Sequence, residues 1–178
     1  MQRRKAIIAI TIIIIIGTMA GVLPLSAILR NSGILKHVPR REDQRTYSDT
    51  VFGVSFSYPR DYSPDAERLP GGETEVVFSD AQSQSFYLLL RPNPDHFTLR
   101  HFYEIRAVET GYDPFLLAGE IDQVDLPSGT ATEFSNLPDN TPQLIIATSL
   151  KNVIVEFHPN GLDQAAISAL LRSLTLDK

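Results

Sequence analysis

From Ala6 to Leu29 the chain carries no charged side chain, and no other feature restricts what it can fold into as strongly. The stretch Ala6 to Leu23 alone spans about 27 Å as a helix, close to the thickness of a bilayer's hydrocarbon. Ten of its residues are Ile, Val or Leu, which favour insertion by about 3 to 6 kcal/mol before polar costs. Ile is a mediocre helix former in water, but inside lipid every backbone polar group has to pair within the segment, so a helix is imposed. The sequence therefore predicts an N-terminal membrane anchor over residues 1–29, with a transmembrane helix in 6–29. The rival reading is a cleaved signal peptide, with Arg3-Arg4-Lys5 as basic start, Ile7–Ile16 as apolar centre and Thr18-Met19-Ala20 as a small-x-small cut site. Apolarity that runs on through Val22, Leu23, Leu25, Ala27, Ile28 and Leu29 favours the retained anchor.

Charge is divided along the chain. Residues 1–45 hold eight basic and two acidic side chains, a net of +6, and residues 46–178 hold eight basic and nineteen acidic, a net of -11. Arg3-Arg4-Lys5 abut the apolar core directly, while Arg30, Lys36, Arg40 and Arg41 are spread out beyond it. The positive-inside bias then places the N-terminus in the cytoplasm and the following domain on the non-cytoplasmic side of the cell membrane. An acidic domain repels phosphate backbones, which disfavours nucleic acid as a partner. The chain has no Cys, which excludes a disulfide framework, a thiolate metal site, a lipid-modified cysteine and a Cys nucleophile.

Residues 30–45 read as a basic linker: polar, interrupted by Gly33 and Pro39, and without sustained periodicity. A single domain is expected over 46–178. Val54, Phe56 and Tyr58 alternate with serines, the pattern of a half-buried strand ended by Pro59. Arg60–Gly72 is rich in turn formers and reads as a loop. Glu75–Ser79 reads as a strand, Asp80–Ser85 as a turn, and Phe86–Arg91, apolar on both sides, as a central strand covered on both faces. Thr98 can cap a helix through Thr110, with Leu99, Phe102, Ile105 and Val108 on its apolar side and Gly111 in the left-handed position after it. A hairpin follows over Gly119–Asp125 and Thr130–Phe134, then strands at Gln143–Ser149 and Asn152–His158. Asn160 can cap a last helix, Gly161–Leu174, whose apolar face is Ala166, Ile167, Leu170, Leu171 and Leu174. Hairpins with helices set between strand groups imply an α+β fold on an antiparallel sheet.

Phe52-Gly-Val-Ser-Phe-Ser-Tyr-Pro-Arg-Asp-Tyr62 resembles the opening strand of the PsbP-like family, where Gly, an alternating strand, Tyr-Pro and a further aromatic residue follow one another. Tyr62 stands where Trp is more usual. The resemblance covers about residues 46–178 and implies an antiparallel sheet sandwiched between helices, an α/β/α arrangement. Plant and cyanobacterial members are lumenal photosystem II proteins, a nuclear-import factor that binds Ran shares the fold, and many bacterial relatives are secreted or tethered to membranes. The resemblance implies a bacterial, membrane-anchored member. Fold alone does not deliver function, and photosystem binding is not carried over to residues of this chain.

Residues that bear chemistry do not gather in the sequence. His96 and His101 are five apart, which puts them on different sides of a helix and off the i, i+4 zinc spacing. His101 and Glu104 could share a metal, but two ligands do not make a site, so a surface pair is expected. His37 falls in the linker. His158 shares a strand face with Glu156 and Ile154 and reads as a partly exposed strand end. Asp61, Asp65 and Glu67 lack calcium-loop spacing. Glu120, Asp122 and Asp125 do not share one strand face. Gly71-Gly72 precedes a strand rather than a helix, so it is no phosphate cradle. The sequence thus assigns no catalytic, cofactor-binding or metal residue and predicts a chain that is not an enzyme.

Two function classes follow. One is a membrane-tethered extracytoplasmic interaction or assembly module, monomeric in its soluble domain, meeting a protein partner with a basic surface. The other is a small-molecule or lipid carrier with a pocket between sheet and helix. A hydrolase built from scattered residues is a weaker third.

Overall fold

Two antiparallel sheets carry the domain. The computed structural model describes residues 43–137 and 144–176; the predicted anchor over 6–29 and most of the stretch 30–45 lie outside them. Among the described residues no helix is long and apolar enough to cross a membrane. The smaller sheet starts with a hairpin of β1 (Gln44–Asp49) and β2 (Val54–Pro59). Val54, Phe56 and Tyr58 are buried and Ser55 and Ser57 half-buried, as the alternation requires. The Asp49 carboxylate holds the turn by accepting from the N–H groups of Val51 and Phe52 at 2.8 and 2.9 Å. A two-residue strand, β10 (Thr175–Leu176), pairs with the other edge of β2 at Ser55 and Val54.

The larger sheet has seven strands: β3 (Ser63–Arg68), β4 (Thr74–Ser79), β5 (Ser85–Pro92), β6 (Glu120–Leu126), β7 (Gly129–Ser135), β8 (Ile145–Leu150) and β9 (Val153–His158). They run in the order β3-β4-β5-β9-β8-β7-β6, every pair antiparallel. β3 corrects the expected loop at Arg60–Gly72. All six of its residues are exposed, because it is an edge strand with neither face covered. Such a strand has no apolar alternation to read, and an edge tolerates Pro64. The middle strand is β9, buried along its whole length, rather than β5.

Among the described residues three helices complete the domain: α1 (Leu99–Thr110), α2 (Pro114–Leu117) and α3 (Gln164–Ser173). Thr98 caps α1 as expected, accepting from the His101 N–H, and Gly111 ends it at φ 74°. The cap of α3 is Asp163, whose carboxylate accepts from the Ala166 N–H at 2.8 Å, and not Asn160. Both residue types suit the position, and the turn through Gly161 at φ 80° delays the helix by three residues.

Cross-strand pairing sorts the sheet into two faces. Val76, Phe78, Phe86, Leu88, Leu90, Ile146 and Phe157 share one, which β2 and α3 cover. Phe78 and Phe86 stack at 4.5 Å, and Phe56 of β2 meets Phe78 and Phe157 edge-on, each at 5.6 Å. Ile167, Leu170 and Leu171 of α3 close this layer so tightly that the space left beside Phe86, Ile146 and Phe157 is about 10 Å³. On the opposite face Phe102 and Tyr103 of α1 pack with Phe134, Leu137, Ile145, Ala147 and Ile154. These lie on and after β7, on β8 and on β9, so α1 and α2 cover only part of the sheet. Tyr87 and Leu89 of β5 are accordingly half-buried on that side, which corrects the expected coverage of both faces.

Candidate functional site

The partly covered face holds a buried charged cluster at its middle and an open acidic surface beside it. β9 supplies Glu156 and His158, two apart and so on one side of the strand. Glu156 is 1% exposed and His158 6%. Nε2 of His158 lies 2.6 Å from Oε1 of Glu156, and the hydroxyl of Tyr103, from α1, donates to Oε2. Arg91, at the end of β5, brings Nε to 3.5 Å from the same Oε2, at ion-pair range but without hydrogen-bond geometry. Its Nη1 donates to Oε1 of Glu73 at 2.7 Å, and Arg106 of α1 reaches that oxygen at 3.0 Å. Tyr87 lies flat on the His158 ring, centroids 4.0 Å apart and planes 13° from parallel.

Burial alone would push the Glu156 carboxyl up. The His158 hydrogen bond, the Arg91 charge and the Tyr103 hydroxyl outweigh it, and the carboxyl is held below its usual range. Burial works the other way on the Arg91 guanidinium, but Glu156 and Glu73 keep it charged, raised above its ordinary value. Burial, and then Glu156, hold the Tyr103 phenol well above the ordinary tyrosine range. The cluster is therefore an ionised, hydrogen-bonded clamp joining α1 to β5 and β9. It resembles the base-and-orienter half of a catalytic pair, but the clefts beside Asn93 and between β2 and α3 are lined by neither Glu156 nor His158, so no substrate reaches it through them.

Sequence reading placed His158 at a partly exposed strand end; it is buried because β9 is the middle strand. Arg91, Tyr103 and Glu73 went unrecognised. The available signal was an Arg closing an otherwise apolar strand, since such a cation is buried only with acidic partners. His101 and Glu104 form the expected surface pair at 3.6 Å. His96 sits in the turn before α1, not on it, with Nδ1 3.1 Å from the Lys151 carbonyl. His37 lies outside the described residues. Among the described residues no group of three or more His, Asp or Glu could hold a metal ion.

Beyond the rim of α1 the face opens. Register aligns two rows across it: Asp65, Val77, Tyr87 and His158 in one, and Glu67, Glu75, Leu89 and Glu156 in the other. Asp65 and Glu67 are exposed, and Glu75, Val77, Tyr87 and Leu89 half-buried. Glu67 and Glu75 are directly opposite each other, and ion pairs among the described residues take in neither. Like charges facing across a ladder are destabilising.

Neither a family model nor a curated protein sequence matches the chain. Among solved structures, the solution structure of cyanobacterial PsbP (CyanoP) from Synechocystis sp. PCC 6803 is similar, with a TM-score of 0.52 at 17% identity, covering 81% of this chain and 99% of that one. At that identity the likeness concerns fold and not role. The chain has a PsbP-like, sheet-dominated fold of antiparallel strands flanked by a few helices.

Proposed function

We propose that this chain is a membrane-tethered, extracytoplasmic interaction module that binds a basic protein surface through the open acidic half of its sheet and performs no chemistry of its own. The observation behind it is the Glu67–Glu75 pair. Two carboxylates held face to face on an uncovered ladder cost folding stability and acquire a favourable role only when a cation comes to lie over them. Val77, Tyr87 and Leu89 beside them add the half-buried apolar and aromatic surface typical of interface centres. The tether rests on the uncharged run from Ala6 to Leu29, and the orientation on Arg3-Arg4-Lys5 before it.

A carrier that encloses a lipid or other apolar ligand between the large sheet and α3 has less support. The layer under α3 leaves about 10 Å³, roughly the room of one water molecule. A hydrolase would need its acid and base open to substrate, and Glu156 and His158 are both buried.

The test is capture of partners by the intact chain from solubilised membranes at low and high salt. The expected result is a partner lost as salt rises and lost at low salt on the double change Glu67→Gln, Glu75→Gln. A partner set that ignores both would refute the proposal. Orientation is read by Gln82→Cys, an exposed turn position in a chain without other cysteines. Labelling by a membrane-impermeant thiol reagent only after lysis would refute the extracytoplasmic placement. Intact mass of the native chain distinguishes a retained anchor from a form cut after Ala20.

A further inference from the structure

On the other face of the large sheet, away from the acidic rows, a cleft of about 800 Å³ separates the end of β2 from the start of α3, within the usual size of small-ligand sites. Tyr58, Tyr62, Leu162, Ala166 and Ala169 line its apolar part, and small side chains on α3 keep it open. The two tyrosines are each only 5% exposed. Their rings are fixed from behind, Tyr58 by Phe78 at 5.0 Å and Tyr62 by Phe86 at 5.2 Å. Neither hydroxyl has a hydrogen-bond partner among the described residues, so two nearly buried phenols end at the cleft unpaired.

The polar lining is acidic. Asp43, Asp61 and Asp163 contribute carboxylates from the start of β1, the turn after β2 and the cap of α3, and Arg60 is the one cation among these lining residues. One oxygen of Asp163 is spent on the Ala166 N–H; Asp61 has no ion pair or side-chain hydrogen bond among the described residues. Burial first, and then the charges of Asp80, Asp61 and Asp163, raise the Tyr62 phenol. An anion would be repelled there. A bare metal ion lacks a ligand set, since among the described residues no group of three or more His, Asp or Glu could hold one.

We propose that the cleft between β2 and α3 is a binding site for an organic cation, an alkylammonium or guanidinium carried on an apolar stem. The stem lies along Leu162, Ala166 and Ala169, and the charged head donates to Asp61 and to the hydroxyls of Tyr58 and Tyr62. Donors of this kind form charge-assisted hydrogen bonds with carboxylates, and phenol oxygens accept from them as well. The same chemistry is offered by a free polyamine and by a Lys or Arg side chain of a polypeptide. This inference does not rest on the interaction reading, which concerns the opposite face.

The intact chain in detergent is titrated by calorimetry with spermidine and, separately, with a short lysine peptide whose termini are blocked. Tyrosine fluorescence provides a second readout in a chain without Trp. Saturable binding of one equivalent is expected for at least one probe, and the tighter of the two identifies the source. The N-ε-acetylated form of the peptide should not bind. Asp61→Asn and Tyr62→Phe should each weaken binding by about tenfold, the scale of one hydrogen bond to a charged group. Arg60→Gln should tighten it. Asp61 and Arg60 are exposed, so these variants fold as the parent does and keep the test decisive should Tyr62→Phe fail to fold. No saturation with either probe would overturn the proposal. So would binding that Asp61→Asn leaves unchanged, or that Glu67→Gln with Glu75→Gln abolishes.

Discussion

The hydroxyl of Tyr103 donates to the carboxylate of Glu156, joining helix α1 to the middle strand of the sheet. Glu156 is also held by His158 and Arg91. We predict that Tyr103→Phe, which removes the donor and keeps the packing, costs about 1 to 3 kcal/mol. Glu156→Ala should cost more, about 3 to 5 kcal/mol, because Arg91 then keeps only Glu73 as a buried counter-charge while Tyr103 and His158 lose their partner. Denaturant midpoints at constant slope measure both. A neutral Glu156→Ala would show that the cluster clamps nothing.

Acid should loosen the same clamp. The Glu156 carboxyl is held below its ordinary value in the folded chain, so the unfolded chain takes up its proton first as pH falls. The associated stability is fully present above the ordinary carboxyl value of 4.5 and is lost as pH falls from there through the lower folded value. We predict that Glu156→Gln is less stable at neutral pH and shows a shallower loss below about pH 4.5. Parallel pH profiles for parent and variant would contradict this.

Alkali should act through the tyrosines. Burial, with Asp49 nearby, pushes the Tyr47 phenol up to about 12, and burial with Glu156 raises Tyr103 far beyond the ordinary 10.0. Folded values above unfolded ones give stability that is fully present below pH 10.0 and lost as pH rises through the folded values. Phenolate absorbance in the folded chain should therefore lag the ordinary tyrosine titration. The late phase should coincide with unfolding seen by circular dichroism. A single phenolate step near 10 with the fold intact would refute the assignment.

The alternation Val54-Ser-Phe-Ser-Tyr58, the hairpin before Thr130 and the caps Thr98 and Gly111 were all legible in the sequence, because each is set by neighbours within a few residues. Which side of α1 is buried was not. Ile105 and Val108 continue an apolar stripe from Phe102, yet the helix seats Phe102 and Tyr103 and leaves Val108 89% exposed. That rotation brings Tyr103 to Glu156, 53 positions away in the sequence, and both Phe102 and Tyr103 onto the core of β7, β8 and β9. We predict that Phe102→Ala costs about 3 to 5 kcal/mol while Val108→Ala stays within about 0.5 kcal/mol. Equal costs at the two positions would restore the stripe as the buried face.

The acidic rows were invisible for a related reason: β3 carries no period, so Glu67 could not be set opposite Glu75 before the register was known. That pairing separates stability from binding. Removing both charges by Glu67→Gln and Glu75→Gln relieves a repulsion on an open ladder, so the double variant should be more stable than the parent by about 0.2 to 1 kcal/mol, with the gain shrinking in high salt. The same variant should lose the salt-sensitive partner. A surface kept only for solubility would show the stability gain without a binding loss, because other acidic residues still hold the net charge of 46–178 well below zero. A variant that is less stable than the parent would mean that the two carboxylates already have a compensating cation, and the acidic half-face would cease to be a docking surface.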